Sequence, residues 1–331
     1  MNRVFHDDQR VQQVHWRDKY LAIKGFGYQN RNQYAHIVPK KDWEQTLWTG
    51  IRTELPIYLQ ENQIQSHTGT HNLLSSWVLC ANLYFPVRIY PQFKMLMQEF
   101  LQNRISAVIV EVTAVELEFA FEGGLSPADL LGEQGGSRGS GQTSPDVAFL
   151  VRTKQGEGII LTECKYTEHS FYPCSARTTR DSEMRKHNPD PRRCMNPANA
   201  CTYETICHQK KWGRKYWEHL EMSEVGKATL KRCPASTSGY QLLRQHSLAN
   251  GIAKSDKFSL VMSCVAYDSR NEDLRNCLRT TGINDFSKDW AGMFVGEAKF
   301  NTWTHQDWVA FVRARRLQDD WTSYMKERYG L

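Results

Sequence analysis

The chain has 331 residues, 40% of them hydrophobic and 24% charged, with a formal net charge of +6. These are values of a globular protein able to bury a substantial core, as one large domain or two small ones. No apolar run approaches the roughly 18 residues of a membrane helix, which excludes a spanning segment of that kind. The first residues, Met1-Asn2-Arg3-Val4-Phe5-His6-Asp7-Asp8, carry neither a basic n-region nor an apolar h-region, so a cytoplasmic protein is expected. The cysteine count is 9, an odd number that suits a reducing compartment where disulfides are rare.

Residues 1–66 mix Trp, Tyr and Gln without a strong periodic signal and read as an N-terminal extension packed on the core. Residues 68–101 read as mostly helical, with breaks expected at Pro86 and Pro91; Glu99 lies in the last of these segments. Val108 to Phe121, rich in Val with alternating Glu, reads as one strand with Glu116 and Glu118 on one face and Leu117 and Phe119 toward the core. Between Gly123 and Ser144 there are seven glycines in 22 residues, which predicts a flexible loop. Gly139-Ser140-Gly141 opens a dinucleotide-like pattern, but Ser144 breaks it and a strand follows, which argues against both a Rossmann unit and a P-loop. There is no internal repeat of roughly 20 to 50 residues.

Two apolar runs follow, Val147 to Leu150 and Gly158 to Leu161, joined by a turn over Lys154-Gln155-Gly156-Glu157. A four-residue turn there pairs Asp146 with Lys165 and sets Glu163 on the diagonal. Because side chains alternate, Glu163 and Lys165 share a face, and the pairing parity brings Asp146 to the same face. Cys164 points to the opposite face and reads as a buried small hydrophobe, as do Cys80, Cys264 and Cys277. Two carboxylates and an ammonium at one hairpin end suit a hard cation: carboxylate oxygens bind Mg²⁺, for which Mn²⁺ substitutes, and the metal bridges to phosphate. Such a metal polarises phosphate and activates water, and Lys165 can orient that water or offset phosphate charge.

From His169 to about Pro234 runs an irregular insert with five cysteines. Cys174, Cys194, Cys201 and Cys207 lie within 34 residues, near His187 and His208, in the spacing C-x19-C-x6-C-x5-C. Two readings stand for them: a Zn²⁺ or iron–sulfur site, or reduced thiols without a metal. The first has a physical motive, since a Pro- and Arg-rich insert with few aliphatic residues cannot build its own core. Residues 165–216 hold 11 Lys or Arg against 5 Asp or Glu, which accounts for the whole net charge. This patch, with Arg192, Arg193, Lys210, Lys211, Arg214 and Lys215, is the footprint of a phosphate-backbone binder. Trp212, Tyr216 and Trp217 either pack under the basic stems or stack on bases.

Ser238 to Ala253 reads as a helix with Ser238 as its N-cap, and Gln241 and Arg244 share one of its faces. Phe258 to Ala266 reads as a further strand. His305 to Tyr329 reads as a single basic amphipathic helix, either a dimer face or core packing.

Asp146, Glu163 and Lys165 resemble the motif of the PD-(D/E)xK nuclease superfamily. Five blocks are similar to a group of bacterial restriction-endonuclease-like proteins: Ser75-Ser76-Trp77-Val78-Leu79-Cys80-Ala81-Asn82, Glu116-Leu117-Glu118-Phe119, Thr143-Ser144-Pro145-Asp146, Glu163-Cys164-Lys165-Tyr166-Thr167-Glu168 and Gln241-Leu242-Leu243-Arg244. The resemblance implies an α/β fold, a restriction-endonuclease-like mixed central sheet flanked by helices, with a Cys-rich insert (residues 169–237) and helical termini. It implies a nuclease domain over residues 67–331 and Glu118 as an additional metal ligand, with Glu116 as the fallback and Glu99 behind it. It also implies that the helix carrying Gln241 and Arg244 covers the site, where the two contact phosphate or Lys165; a solvent-facing role is the alternative. Some nucleases of this superfamily carry a four-cysteine iron–sulfur staple, usually with one Cys upstream of the catalytic motifs, a pattern this chain does not follow. The activity implied is Mg²⁺-dependent hydrolysis of DNA, with a homodimer for double-strand cleavage. The alternatives are a catalytically silent nucleic-acid-binding protein on the same fold and a metal-stabilised interaction scaffold.

Overall fold

The computed structural model describes residues 4–65, 67–177, 188–196 and 203–331. Among them five strands form one mixed sheet, in the order β1 (Ile109–Leu117), β2 (Val147–Thr153), β3 (Glu157–Lys165), β4 (Leu260–Tyr267) and β5 (Lys299–Thr304). The first three run as an antiparallel meander, while β3, β4 and β5 are parallel. A parallel pair needs a long crossover, and the insert occupies the one between β3 and β4.

Alternation along β3 divides the core in two. Ile160 and Cys164 pack toward α2 (Ser76–Ile89), α3 (Pro91–Arg104), α5 (His305–Ala314) and α6 (Asp319–Tyr329), whereas Ile159 and Leu161 pack toward the insert and α4, the helix Tyr240–Ala253. Glu163 and Lys165 follow the second series, so they stand on the α4 side. A further helix, Val4–Tyr20, buries Gln9 and Gln13. Tyr166 OH donates to Gln9 Oε1 at 2.7 Å and accepts from Gln13 Nε2 at 3.2 Å, which fastens this N-terminal helix to the end of β3.

Several expectations change. The hairpin turns one position earlier than predicted: Val147 pairs with Thr162 and Arg152 with Glu157, and Thr153 N–H donates to Gly156 O at 2.7 Å. Gly156 at φ +148° allows the loop to close on Lys154-Gln155 alone. The shift is an even number of positions, so facing is preserved, but Asp146 now stands beside Glu163 instead of opposite Lys165. The helix α2 continues through Pro86 and ends at Ile89. Pro86 cannot donate to the carbonyl of Asn82, and the indole N–H of Trp321 takes that acceptor at 2.9 Å. The C-terminal segment is two helices, not one, because Arg316 and Gln318 adopt left-handed φ of +52° and +62° between them. Trp308, Val309, Val312, Trp321, Met325 and Tyr329 are buried in the first core, which answers the choice left open for this segment in favour of packing. Helix α4 begins at Tyr240 without a side-chain cap; the Tyr240 and Gln241 N–H groups donate to the carbonyls of Tyr172 and Phe171, both at 3.0 Å.

The glycine-rich stretch is built around a buried ion pair and is not an open loop. It contains a helical turn, Pro127–Leu131, followed by Glu133, which is 1% exposed. Glu133 accepts from Thr143 N–H at 2.5 Å, Tyr216 OH at 2.7 Å and Arg244 Nε at 3.0 Å. Three segments thus meet on one carboxylate, and one of them, at Thr143, lies three residues before Asp146. Arg244 is spent on this pair and does not line the cleft described below, contrary to a phosphate-contact role. Removing one partner of a buried pair leaves an uncompensated charge. Arg244→Ala is expected to lose about 3 kcal/mol in urea unfolding; an unchanged midpoint would show that the pair is not structural.

His246, buried in α4 against Trp290, Phe294 and Phe300, has its pKa lowered by burial to about 4. The unfolded chain takes up its proton near pH 6.5 and the folded chain does not, so stability is full above that pH and is lost as pH falls toward about 4. The expected loss from this residue is about 2 kcal/mol at pH 5. Urea unfolding of His246→Phe at pH 7 and pH 5 checks it: the variant's pH dependence should be smaller by that amount, and an equal slope would refute the assignment.

Candidate active site

The site forms at the sheet edge where β1 and β3 end and β2 begins. Asp146 precedes β2, and its Oδ2 accepts from the Cys164 N–H at 2.7 Å, which locks the carboxylate to the neighbouring strand. Lys165 Nζ donates to Glu163 Oε1 at 2.7 Å, and both side chains are buried. Each of these carboxylates keeps one oxygen outside these bonds. The aromatic rings of Phe171 and Tyr172 stand 5.9 Å from the ammonium. The end of β3 is held from outside by His305 Nε2 on the Lys165 carbonyl at 3.0 Å and by Asn271 Nδ2 on the Tyr166 and Glu168 carbonyls at 2.8 Å.

Strand β1 stops at Leu117, and Glu118 takes a left-handed φ of +46°. Its N–H donates to the Asp146 carbonyl at 3.1 Å, and Arg138 Nε donates to its carbonyl at 3.1 Å. Gly139 passes so close that a Cβ there would lie 2.8 Å from the Gln65 carbonyl and 3.6 Å from the Glu118 side chain. Glu118 therefore sits behind Asp146, buried, and is not among the residues that line the cleft. Glu116 goes elsewhere: it accepts from Tyr58 OH at 2.8 Å and Arg88 at 2.7 Å. Glu99 is paired with Arg315 at 3.0 Å.

Burial raises the Asp146 carboxyl well above the usual range, and Glu163 pushes it further while Lys165 opposes. Burial also raises Glu118, with Asp146 and Glu163 adding to the effect. For Lys165 burial works against the charge, but Glu163, Glu168 and Asp146 outweigh it and hold the ammonium above its ordinary value. The pocket is thus short of positive charge. Among the described residues no group of three or more His, Cys, Asp or Glu is placed to hold a metal ion unaided. Asp146 and Glu163 still suit Mg²⁺, which takes one or two carboxylates and completes its shell with water and phosphate.

These side chains open into a cleft of about 660 Å³. Gln241 lines it, as the helix placement implied; so do His67, Trp77, Glu168 and Tyr172, which the sequence did not single out as site residues. Glu168 was visible inside a quoted block, and its Oε2 accepts from Tyr166 N–H at 2.8 Å. His67 carried no sequence signal. A short hairpin, Gly27–Gln29 against Asn32–Tyr34, adds Tyr28, Gln29 and Asn30 to the wall.

The basic insert divides. Arg193 contacts Asn188 at 2.9 Å and His208 at 3.0 Å, Arg214 bonds the Gly132 carbonyl, and Tyr216 and Trp217 are buried, so none of these four presents a free nucleic-acid contact. Arg192, Lys210, Lys211 and Lys215 are exposed. None of the six basic residues lines the cleft. Cys174, Cys194 and Cys207 come together, whereas Cys201 and His187 lie outside the described residues.

Among the described residues no helix is long and apolar enough to cross a membrane. No curated protein and no solved structure matches the chain. A family model described as restriction endonuclease associating with ARP matches residues 10–330. The mixed sheet flanked by helices is the restriction-endonuclease-like fold, and the match points to a nuclease or defence role. Since the match spans nearly the whole sequence, the chain belongs to the family of restriction endonucleases associating with ARP.

Proposed function

We propose that the chain is a Mg²⁺-dependent endonuclease of the PD-(D/E)xK type that hydrolyses DNA phosphodiester bonds in restriction or defence. The observation that carries this reading is the convergence of Asp146, Glu163 and Lys165 at one cleft. Asp146 and Glu163 would hold the cation, with Mn²⁺ able to replace Mg²⁺; Glu118 behind them adds negative charge that favours a cation. When bound, the metal supplies Lewis-acid polarisation of the phosphate. Lys165, kept charged and fixed by Glu163, orients the attacking water and offsets the charge that develops on the phosphate. The exposed Arg192, Lys210, Lys211 and Lys215 would meet the DNA backbone, a contact that weakens with salt. Cutting both strands with one site per chain calls for two copies, so the proposal includes a homodimer.

Plasmid cleavage with Mg²⁺ tests the reading. Asp146→Asn and Glu163→Gln should each lower cleavage by at least about 10²-fold while circular dichroism and DNA gel shifts stay near wild type. Cleavage by Asp146→Asn at the wild-type rate would remove the assignment. Wild-type protein that shifts DNA but never cuts it, with Mg²⁺ or Mn²⁺, would leave a binding protein on this fold. Lys165→Met should lose turnover comparably yet keep its Mg²⁺ affinity by calorimetry, since an ammonium offers no lone pair to a metal. A collapse of affinity equal to that in Glu163→Gln would contradict this division of roles.

A further inference from the structure

Four cysteines from four separate stretches of the insert line one enclosed cavity: Cys174, which follows β3, Cys194, Cys207, and Cys233, which precedes α4. Their backbones are tied to one another or to immediate neighbours. Cys233 N–H donates to the Cys194 carbonyl at 3.0 Å, and Cys174 N–H donates to the Ala235 carbonyl at 2.8 Å. The described cysteines are all free thiols. The cavity holds about 20 Å³, which is room for one water-sized occupant.

We propose that Cys174, Cys194, Cys207 and Cys233 form a structural Zn²⁺ site that fastens the insert to the nuclease core. The donor set is the one zinc prefers in a closed, four-coordinate site. The cavity is small, and a single ion is the simplest occupant. Cys233 is the fourth ligand proposed; Cys201, a candidate by sequence spacing, lies outside the described residues. The need is also physical: between residues 169 and 237 no helix of the described residues exceeds six residues, so the segment depends on side chains such as Phe171, Tyr216, Trp217, Leu220 and Leu230 packed into the core and gains from a cross-link. As placed, no group of three or more His, Cys, Asp or Glu among the described residues could hold a metal ion, so the proposal requires the four thiols to draw together when zinc binds.

Metal binding at these thiols would have to release protons that burial holds on them. Burial raises the Cys233 thiol, and Cys207, Cys194 and Cys174 raise it further, each opposing a neighbouring thiolate. Burial likewise raises Cys207 to about 12, with Cys174 contributing. Burial raises the Cys174 and Cys194 thiols as well, against the weaker pull of Arg244 and Arg177 on Cys174 and of Arg193 and Arg177 on Cys194. Zinc replaces the thiol protons, which leave to solvent, and its binding free energy becomes folding free energy of the insert.

Metal content of protein purified without chelators tests the site. The expected result is one zinc per chain in wild type and in Cys201→Ser, and under a tenth of that in Cys233→Ser. Titrating wild-type protein with a mercurial should release the zinc in step with thiol modification, a readout that does not depend on any variant folding. X-ray absorption at the zinc edge should show sulfur neighbours at about 2.3 Å. Wild-type protein without zinc, or zinc retained in Cys233→Ser but lost in Cys201→Ser, overturns the proposal. A brown protein with iron and an absorption band near roughly 400 nm overturns the choice of metal. Neither outcome bears on Asp146, Glu163 or Lys165, so the proposal stands or falls separately from the nuclease reading.

Discussion

Like charge crowded into a buried pocket is the constraint on which this structure turns. Asp146, Glu163 and Glu168 meet around one ammonium with Glu118 behind Asp146, and burial makes every unbalanced charge among them costly. Two unit charges about 4 Å apart interact by about 4 kcal/mol at an effective dielectric of about 20, comparable with a large part of a domain's net stability. Such an arrangement persists only if the backbone leaves the side chains no other place to go. The Cys164 N–H holds Asp146, and His305 and Asn271 pin the strand end that carries Lys165. Glu133 fixes the approach to Asp146 from behind. These supports come from residues spread over the chain, so the site is assembled by the whole fold and not by the hairpin alone.

The part of the site that sequence made legible rests on a period of two. Misplacing the hairpin turn by one position moves the pairing by two, and parity survives such an error, so Asp146, Glu163 and Lys165 were assigned the correct face from a wrong register. Glu118 was found for a different reason than its geometry. Alternation along one straight strand put it with Glu116, yet its left-handed backbone ends the strand, and the two carboxylates go to separate partners. The first helix escaped notice because its inner face is made of Gln9, Gln13 and Arg17 beside Trp16, and buried glutamines that bond a tyrosine leave no apolar stripe. Pro86 looked like a break because Trp321, far along the chain, is what satisfies the carbonyl it abandons. Arg244 looked like a ligand contact because nothing local points to Glu133, more than 100 residues earlier. Local pattern carried the strands, and long-range polar pairing hid the rest.

The insert shows how net charge differs from available charge. Residues 165–216 carry the entire excess of the sequence, but Lys165, Arg193 and Arg214 are engaged inside the protein. Among the described residues, Arg192, Lys210, Lys211 and Lys215 remain exposed to a polyanion. Lys210 and Lys211 directly follow Cys207, His208 and Gln209, and Gln209 donates to Cys174 Sγ at 3.1 Å. Lys215 leans on the Asp129 carbonyl at 3.1 Å, next to the helical turn that leads to Glu133.

The thiol cluster and the Glu133 pair therefore act on the same stretch from two sides. One gathers the ends of the insert, and the other, through Tyr216, ties its middle to the loop before Asp146. A crossover between parallel strands could have been any helix that spans the distance. Here α4 is preceded by a segment of short turns, tied at its middle to Glu133 through Tyr216, with Cys174 and Cys233 near its two ends lining one cavity. Tyr216 from the insert and Arg244 from α4 meet on Glu133, the same carboxylate that holds Thr143 ahead of Asp146.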